Sequence, residues 1–176
     1  MKEYCVENNK VVDWQKLKAG FIPNEDYQKA HKHLIIVCHD IMIEYNGGFL
    51  LVVRDNYPAK DILWPIGGRA LRGVPFEESL RFKVKEECGL EIYEEKYLAT
   101  ARTIFATDPF GHDKGTDTLN ILYYAKGKGE LSLNSLHSNP VIVTPKNYQE
   151  KYKNILHPYV KESLKKGMLE SKLNYD

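Results

Sequence analysis

The chain has 176 residues, and 25 Lys and Arg against 24 Asp and Glu leave a formal net charge of +1. That length suffices for one domain with an adequate core. The balanced charge argues against a duplex-DNA binder or an acidic tail, and no apolar run is long enough to cross a bilayer.

Met1–Lys10 lacks the apolar core of a signal peptide. The 3 cysteines, Cys5, Cys38 and Cys88, are irregularly spaced, with no CxxC pair. They fit reduced thiols in a cytoplasmic protein better than a disulfide framework or a structural zinc site. Residues 1–30 are polar and mixed, and read as an N-terminal extension of a domain spanning 1–176. Pro23-Asn24-Glu25-Asp26 predicts a helix start for Tyr27–His31. His33–Tyr45 reads as a strand, Asn46-Gly47 as a type I′ turn and Phe49–Arg54 as the returning strand. Asn56–Asp61 is a loop, and Ile62–Ile66 leads into Gly67-Gly68.

A helix is predicted from Pro75 to Cys88, with Gly89 just past its end. Phe76, Leu80, Val84 and Cys88 form its apolar stripe. Strands are expected at Tyr97–Phe105, Thr118–Tyr124, Leu131–Leu133 and Val141–Val143, with a turn at Lys126–Gly129. The C-terminal segment, 146–176, is helical over Lys146–Lys166 and broken near His157-Pro158. Tyr148, Tyr152 and Ile155 read as a helix face packed on the sheet. Helices on a mixed sheet predict an α+β fold, an α/β/α sandwich.

On the helix over 75–88, positions 83, 86 and 87 share a face beside the buried stripe. Glu86 and Glu87 therefore point toward the glycine turn, where carboxylate and carbonyl oxygens can hold a hard divalent cation. Two adjacent glutamates by themselves also suit an ordinary surface helix.

The segment Gly68 to Leu90 resembles the Nudix box: Gly, five residues, Glu, seven residues, then Arg-Glu-apolar-x-Glu-Glu-x-Gly-apolar. Gly68, Val84, Glu86, Glu87, Gly89 and Leu90 match. Val74, Phe82 and Lys83 replace the first Glu, the Arg and a metal-binding Glu. A divergent branch, the GDP-mannose mannosyl hydrolases, also lacks a carboxylate at the position of Lys83. Arg54 to Ala59 followed by Trp64 to Arg69, His39 to Glu44, Asp108 to Gly111 and Gly115 to Asp117 resemble that branch. The similarity spans about residues 20 to 160.

The resemblance implies a Nudix fold and a hydrolase of a nucleotide sugar or related nucleoside diphosphate derivative. Water would attack the sugar carbon or phosphorus, assisted by Mg2+ or Mn2+. It implies Gly67 and Glu87 as metal ligands, with Glu86 as an alternative, and His137 as the catalytic base. Arg54 and Arg69 would clamp the diphosphate, with Arg69 also assisting the chemistry. Asp40, Lys83 and Asp117 would contact substrate. The glutamine ligand that precedes the branch's histidine is Leu136 here. A homodimer is also implied, with no nucleic-acid or membrane partner.

Without the resemblance, Arg54 and Arg69 read equally as solvated loop arginines, His137 as a loop histidine and Asp117 as a turn cap. His31 and His33 have a zinc-compatible spacing on an expected strand edge, but lack a third ligand and read as structural. Lys83 leaves two readings open. Its ammonium replaces part of the metal's charge in a diphosphate-binding protein with little hydrolysis, or it swings away from a single ion on Glu87.

Overall fold

Asn46 and Gly47 reverse the chain in left-handed backbone, at φ 50° and 79°, as an I′ hairpin turn requires. They join β1 (Ile36–Tyr45) to β2 (Gly48–Arg54) in antiparallel register, with Tyr45 opposite Gly48. The computed structural model describes residues 1–4, 13–20 and 22–173. Cys5 lies outside them.

Ahead of the hairpin stand α1 (Trp14–Leu17) and α2 (Asn24–His33). The predicted strand start at His33 is corrected here. Pairing with the rest of the sheet begins only at Ile36, opposite Thr118, and Leu34 and Ile35 are exposed. After the hairpin come β3 (Leu63–Trp64), β4 (Ile66–Arg69), α3 (Phe76–Cys88), β5 (Glu91–Phe105), β6 (Thr116–Lys128) and β7 (His137–Val143). The chain then forms α4 (Pro145–Asn147), a π-helical turn over Tyr148–Tyr152, α5 (Lys153–Ile155) and α6 (Pro158–Glu170).

Among the described residues the seven strands form one mixed sheet in the order β3-β2-β1-β6-β5, with β4 on β1 and β7 on β2. β1 and β6 run parallel and the other pairs antiparallel. β6 continues to Lys128, through most of the predicted Lys126–Gly129 turn, and only Gly129 leaves it, at φ 101°. A Cβ at Gly127 would meet the Ile43 side chain, so this glycine serves close packing inside a strand. Leu131–Leu133 is not a strand. Its backbone instead satisfies the end of α3: the Ser132 and Asn134 N–H groups donate to the Cys88 and Glu87 carbonyls, at 3.0 Å each.

Alternation along β1 assigns the two faces of the sheet. Ile41 and Ile43 join Leu80, Val84 and Cys88 of α3 in one apolar layer, as the stripe predicts. Met42 joins Trp64, Tyr148, Tyr152, Val160 and Leu164 in the other. Ile155, expected with these tyrosines, is 63% exposed. The result is the α/β/α sandwich.

His39 falls on the α3 face. Its Nε2 lies 2.8 Å from Ser79 Oγ, and the same oxygen accepts the Leu71 N–H at 2.9 Å. This bond chain ties β1, the loop after β4 and α3 together. Burial pulls the His39 pKa from the usual 6.5 down to about 4. The unfolded chain takes a proton below about pH 6.5 that the folded chain refuses until about pH 4. His39 therefore removes stability as pH falls through that window, by up to about 3 kcal/mol. His39→Gln keeps a partner for Ser79 and does not titrate, so urea denaturation of this variant at pH 7 and pH 4.5 should show a shallower acid loss than wild type. Equal losses would refute the assignment.

Candidate functional site

Close approach of two strands sets the site. Gly67 of β4 lies opposite Asp40 of β1, and a Cβ at Gly67 would collide with the His39 carbonyl and the Asp40 carboxylate. The bare backbone N–H of Gly67 instead donates to Glu87 Oε2 at 3.4 Å. Glu87 is in the last turn of α3, which Gly89 ends in left-handed backbone at φ 73°, with its N–H on the Lys85 carbonyl. The buried α3 stripe turns Glu87 inward, and it is 4% exposed.

Lys83, one turn earlier, sets the charge around that carboxylate. Its Nζ is 3.8 Å from Glu87 Oε1 and 2.8 Å from Glu86 Oε2. Burial still raises the Glu87 pKa from 4.5 to about 7, against the lowering effects of Lys83, the Gly67 N–H and Arg54.

His137 Nε2 sits 3.9 Å from Glu87 Oε2. Burial, and then the Arg54 charge, pull its pKa down to about 4. The ring is therefore neutral at pH 7, and this contact is not an ion pair. Asn134 Oδ1 accepts the Leu136 N–H at 3.0 Å and lies 3.1 Å from His137 Nδ1. An oxygen already fixed as an acceptor leaves Nδ1 as the donor, so Nε2 carries the free lone pair. The segment that caps α3 thus also holds the histidine in a base-competent tautomer.

Arg54 is the cross-strand partner of His137. Burial lowers its pKa, opposed by Asp40 and Glu87. One terminal nitrogen reaches Asn56 Oδ1 at 3.3 Å, but its buried Nε has no partner. An orphaned guanidinium N–H is costly unless a ligand completes it. Asp40 accepts the Tyr159 O–H at 2.6 Å, and burial raises its pKa to about 6 against that bond and the Arg54 charge. Arg69 stacks over the Tyr27 ring at 4.5 Å.

These groups line a cavity of about 370 Å³ with Trp64, Phe105 and Phe110. Of the predicted residues, Asp40, Arg54, Gly67, Arg69, Lys83, Glu87 and His137 converge there. Two do not. Asp117 alternates with Thr116 and Thr118, which face the cavity, and pairs with Arg102 on the opposite face at 2.6 Å. Glu86 is exposed and holds Lys83. The His31/His33 pair is helical, with His31 buried 2.8 Å from His112 and His33 exposed. Tyr27 and Tyr159 were not singled out as site residues, and nothing local in the sequence marks them: α2 and α6 bring them in.

The donor set does not fit the expected Mg2+ or Mn2+. Among the described residues no three His, Cys, Asp or Glu side chains are grouped to hold a metal ion. Glu86 is exposed, and Lys83 already brings a cation to the Glu87 carboxylate. A second cation this close to the Lys83 ammonium is repelled.

No family model matches the chain. The chain is 26% identical over 144 residues to the low-salt glycan biosynthesis protein Agl8 of Haloferax volcanii, covering 81% of this chain and 88% of that one. Its fold matches a MutT Nudix hydrolase of Burkholderia pseudomallei with a TM-score of 0.63, at 18% identity, over 76% of this chain and 98% of that one. A MutT protein of Methanosarcina mazei matches with a TM-score of 0.61 at 15% identity, over 78% and 96%. The Nudix domain of Shewanella oneidensis NrtR, solved with ADP ribose, matches with a TM-score of 0.55 at 13% identity, over 84% and 99%. The chain has the Nudix fold.

Exchanging Lys83 for a carboxylate removes the repelling ammonium and adds an oxygen donor beside Glu87. Lys83→Glu should therefore bind Mg2+ at least about tenfold more tightly than wild type in calorimetric titration. Equal affinities would show that Lys83 does not control the cation site.

Proposed function

We propose that the chain binds a nucleotide sugar, or a related nucleoside diphosphate derivative, in this cavity and hydrolyses it. The orphaned Nε of Arg54, buried beside Lys83 and His137, carries the reading. Arg54, Arg69 and Lys83 outnumber the cavity carboxylates Asp40 and Glu87, which suits a diphosphate. Lys83 supplies charge that a metal ion supplies in the standard box. His137, neutral with its Nε2 lone pair toward Glu87, accepts the proton of the attacking water. The cations stabilise the departing nucleoside diphosphate when water attacks the sugar carbon. The names of two similar proteins support the substrate class: one belongs to glycan biosynthesis, and the other was solved with ADP ribose. GDP-mannose and a homodimer are suggested by the sequence resemblance, and one domain over 1–176 by the chain length. The free buried thiols of Cys38 and Cys88 support a cytoplasmic setting, and no helix among the described residues is long and apolar enough to cross a membrane.

A second reading is favoured by the Lys83–Glu87 contact itself: a nucleotide-sugar binding protein with little turnover. Turnover of a nucleotide-sugar panel in ¹⁸O-labelled water separates the two. The hydrolase reading expects label in the sugar, activity that survives a chelator, and loss of turnover in His137→Ala with binding retained. Burial holds His137 near a pKa of about 4, so its own acid limb in kcat/KM should lie near pH 4, below those of Glu87 near 7 and Asp40 near 6, and should be absent from His137→Ala. Label in phosphate would move the attack to phosphorus. Tight binding with no labelled product would establish the second reading.

A further inference from the structure

The cavity floor holds a second polar cluster, made of uncharged side chains. Thr118 and Asn120 of β6 and Thr103 of β5 face it, and Asn120 and Thr118 are only 4% and 8% exposed. The Asn120 Nδ2 donates to Thr103 Oγ1 at 2.7 Å and to Thr118 Oγ1 at 3.2 Å. The two threonine hydroxyls lie 2.6 Å apart. Both amide hydrogens are thus engaged, and one hydroxyl hydrogen fills the threonine pair. The other hydroxyl hydrogen has only a long internal partner, the Thr103 carbonyl at 3.5 Å from Thr118 Oγ1, so a closer acceptor in the cavity can take it. The amide oxygen of Asn120 takes part in none of these bonds. The cluster therefore offers one donor and one acceptor, both uncharged, to whatever fills the cavity.

The strand register fixes where this lies. Thr118 is level with Ile36 of β1, while Gly67, which holds Glu87, is level with Asp40. Four residues of strand, about 13 Å, separate the two levels. Asn120 and Arg69 both flank Cys38 between them. The far end is walled by aromatic rings: Phe105, Phe110 and Tyr27 line it, with Tyr27 and Phe110 edge-on at 5.4 Å. Flat rings and a neutral donor–acceptor pair suit an uncharged ring system better than a phosphate, and Arg69, stacked on Tyr27, marks where the charged part of the cavity begins.

We infer that Thr103, Thr118 and Asn120 form the subsite that reads the nucleobase of the bound nucleotide. This rests on the diphosphate reading above. With the scissile sugar bond at His137 and the diphosphate on the arginines, the base is the part that reaches the far end. There it lies among the aromatic rings, and its polar edge donates to the Asn120 oxygen and accepts from the spare threonine hydroxyl. A base whose edge cannot do both leaves a buried group unpaired and is rejected.

Calorimetric titration with inorganic pyrophosphate, ADP, GDP, CDP, UDP and mannose 1-phosphate tests this on wild type, Asn120→Leu, Thr103→Val and Thr103→Ser. Asn120→Leu should weaken the preferred nucleoside diphosphate at least about tenfold and level the preference among the four bases, with pyrophosphate unchanged. Thr103→Val should act in the same direction, and Thr103→Ser, which keeps the hydroxyl, should not. Unaltered nucleotide affinity in Asn120→Leu and Thr103→Val would overturn the subsite. So would an equal loss of pyrophosphate binding in both, which marks general damage to the cavity. Loss confined to mannose 1-phosphate would place the glycosyl ring there and overturn the nucleobase assignment. A wild type that binds none of these ligands would overturn the diphosphate reading itself.

Discussion

A single ammonium organises this site. Lys83 Nζ stands between Glu86 and Glu87, and Glu87 in turn lies against the Gly67 N–H and the His137 ring. Burying an isolated carboxylate is expensive, and Glu87 sits nearly out of solvent beside two other cation-bearing or titratable groups. Lys83, Arg54 and a backbone donor offset part of that cost, but burial still raises its pKa to about 7. Glu86, held in solvent, fixes the lysine stem from outside.

The fold delivers these groups from separate elements to one place. α3 carries Lys83 and Glu87, β4 carries Gly67 and Arg69, and the β2–β7 pair carries Arg54 and His137. The segment expected as a strand at Leu131–Leu133 is the coupling piece. By capping the α3 carbonyls it brings Asn134 beside His137, so helix termination and histidine orientation depend on the same few residues. Likeness at 18% identity or less shows the fold alone, so function is argued from the cavity and not from the topology.

What was legible in the sequence was whatever is periodic or local. The Asn46-Gly47 hairpin, the α3 stripe and the Gly89 cap follow from turn chemistry and a 3.6-residue repeat, and each appears in the structure. Seven of the residues named on the family resemblance line one cavity. The errors arise where local composition and tertiary context disagree. Gly127 has turn character but packs inside a strand, and Leu34-Ile35 have strand character but no partner strand. Asp117 lies in a motif-like segment, yet a period of two sends its side chain to the face opposite Thr116 and Thr118. Tyr159 reaches Asp40 across 119 positions, a contact no sequence window contains.

The proposed exchange of a metal for an ammonium also bears on which bond the proposed reaction breaks. A divalent ion gives two charges and lowers the pKa of bound water; Lys83 gives one charge and three hydrogen-bond donors. Attack at phosphorus brings a nucleophile onto a group that is already anionic, so it depends strongly on both metal effects. Attack at a sugar carbon builds positive charge at the ring and sends negative charge to the departing diphosphate. Spread over Arg54, Arg69 and Lys83, the cations meet the second demand with no activated water. What that route still needs is a base, and the neutral, tautomer-fixed His137 is the group placed to supply it.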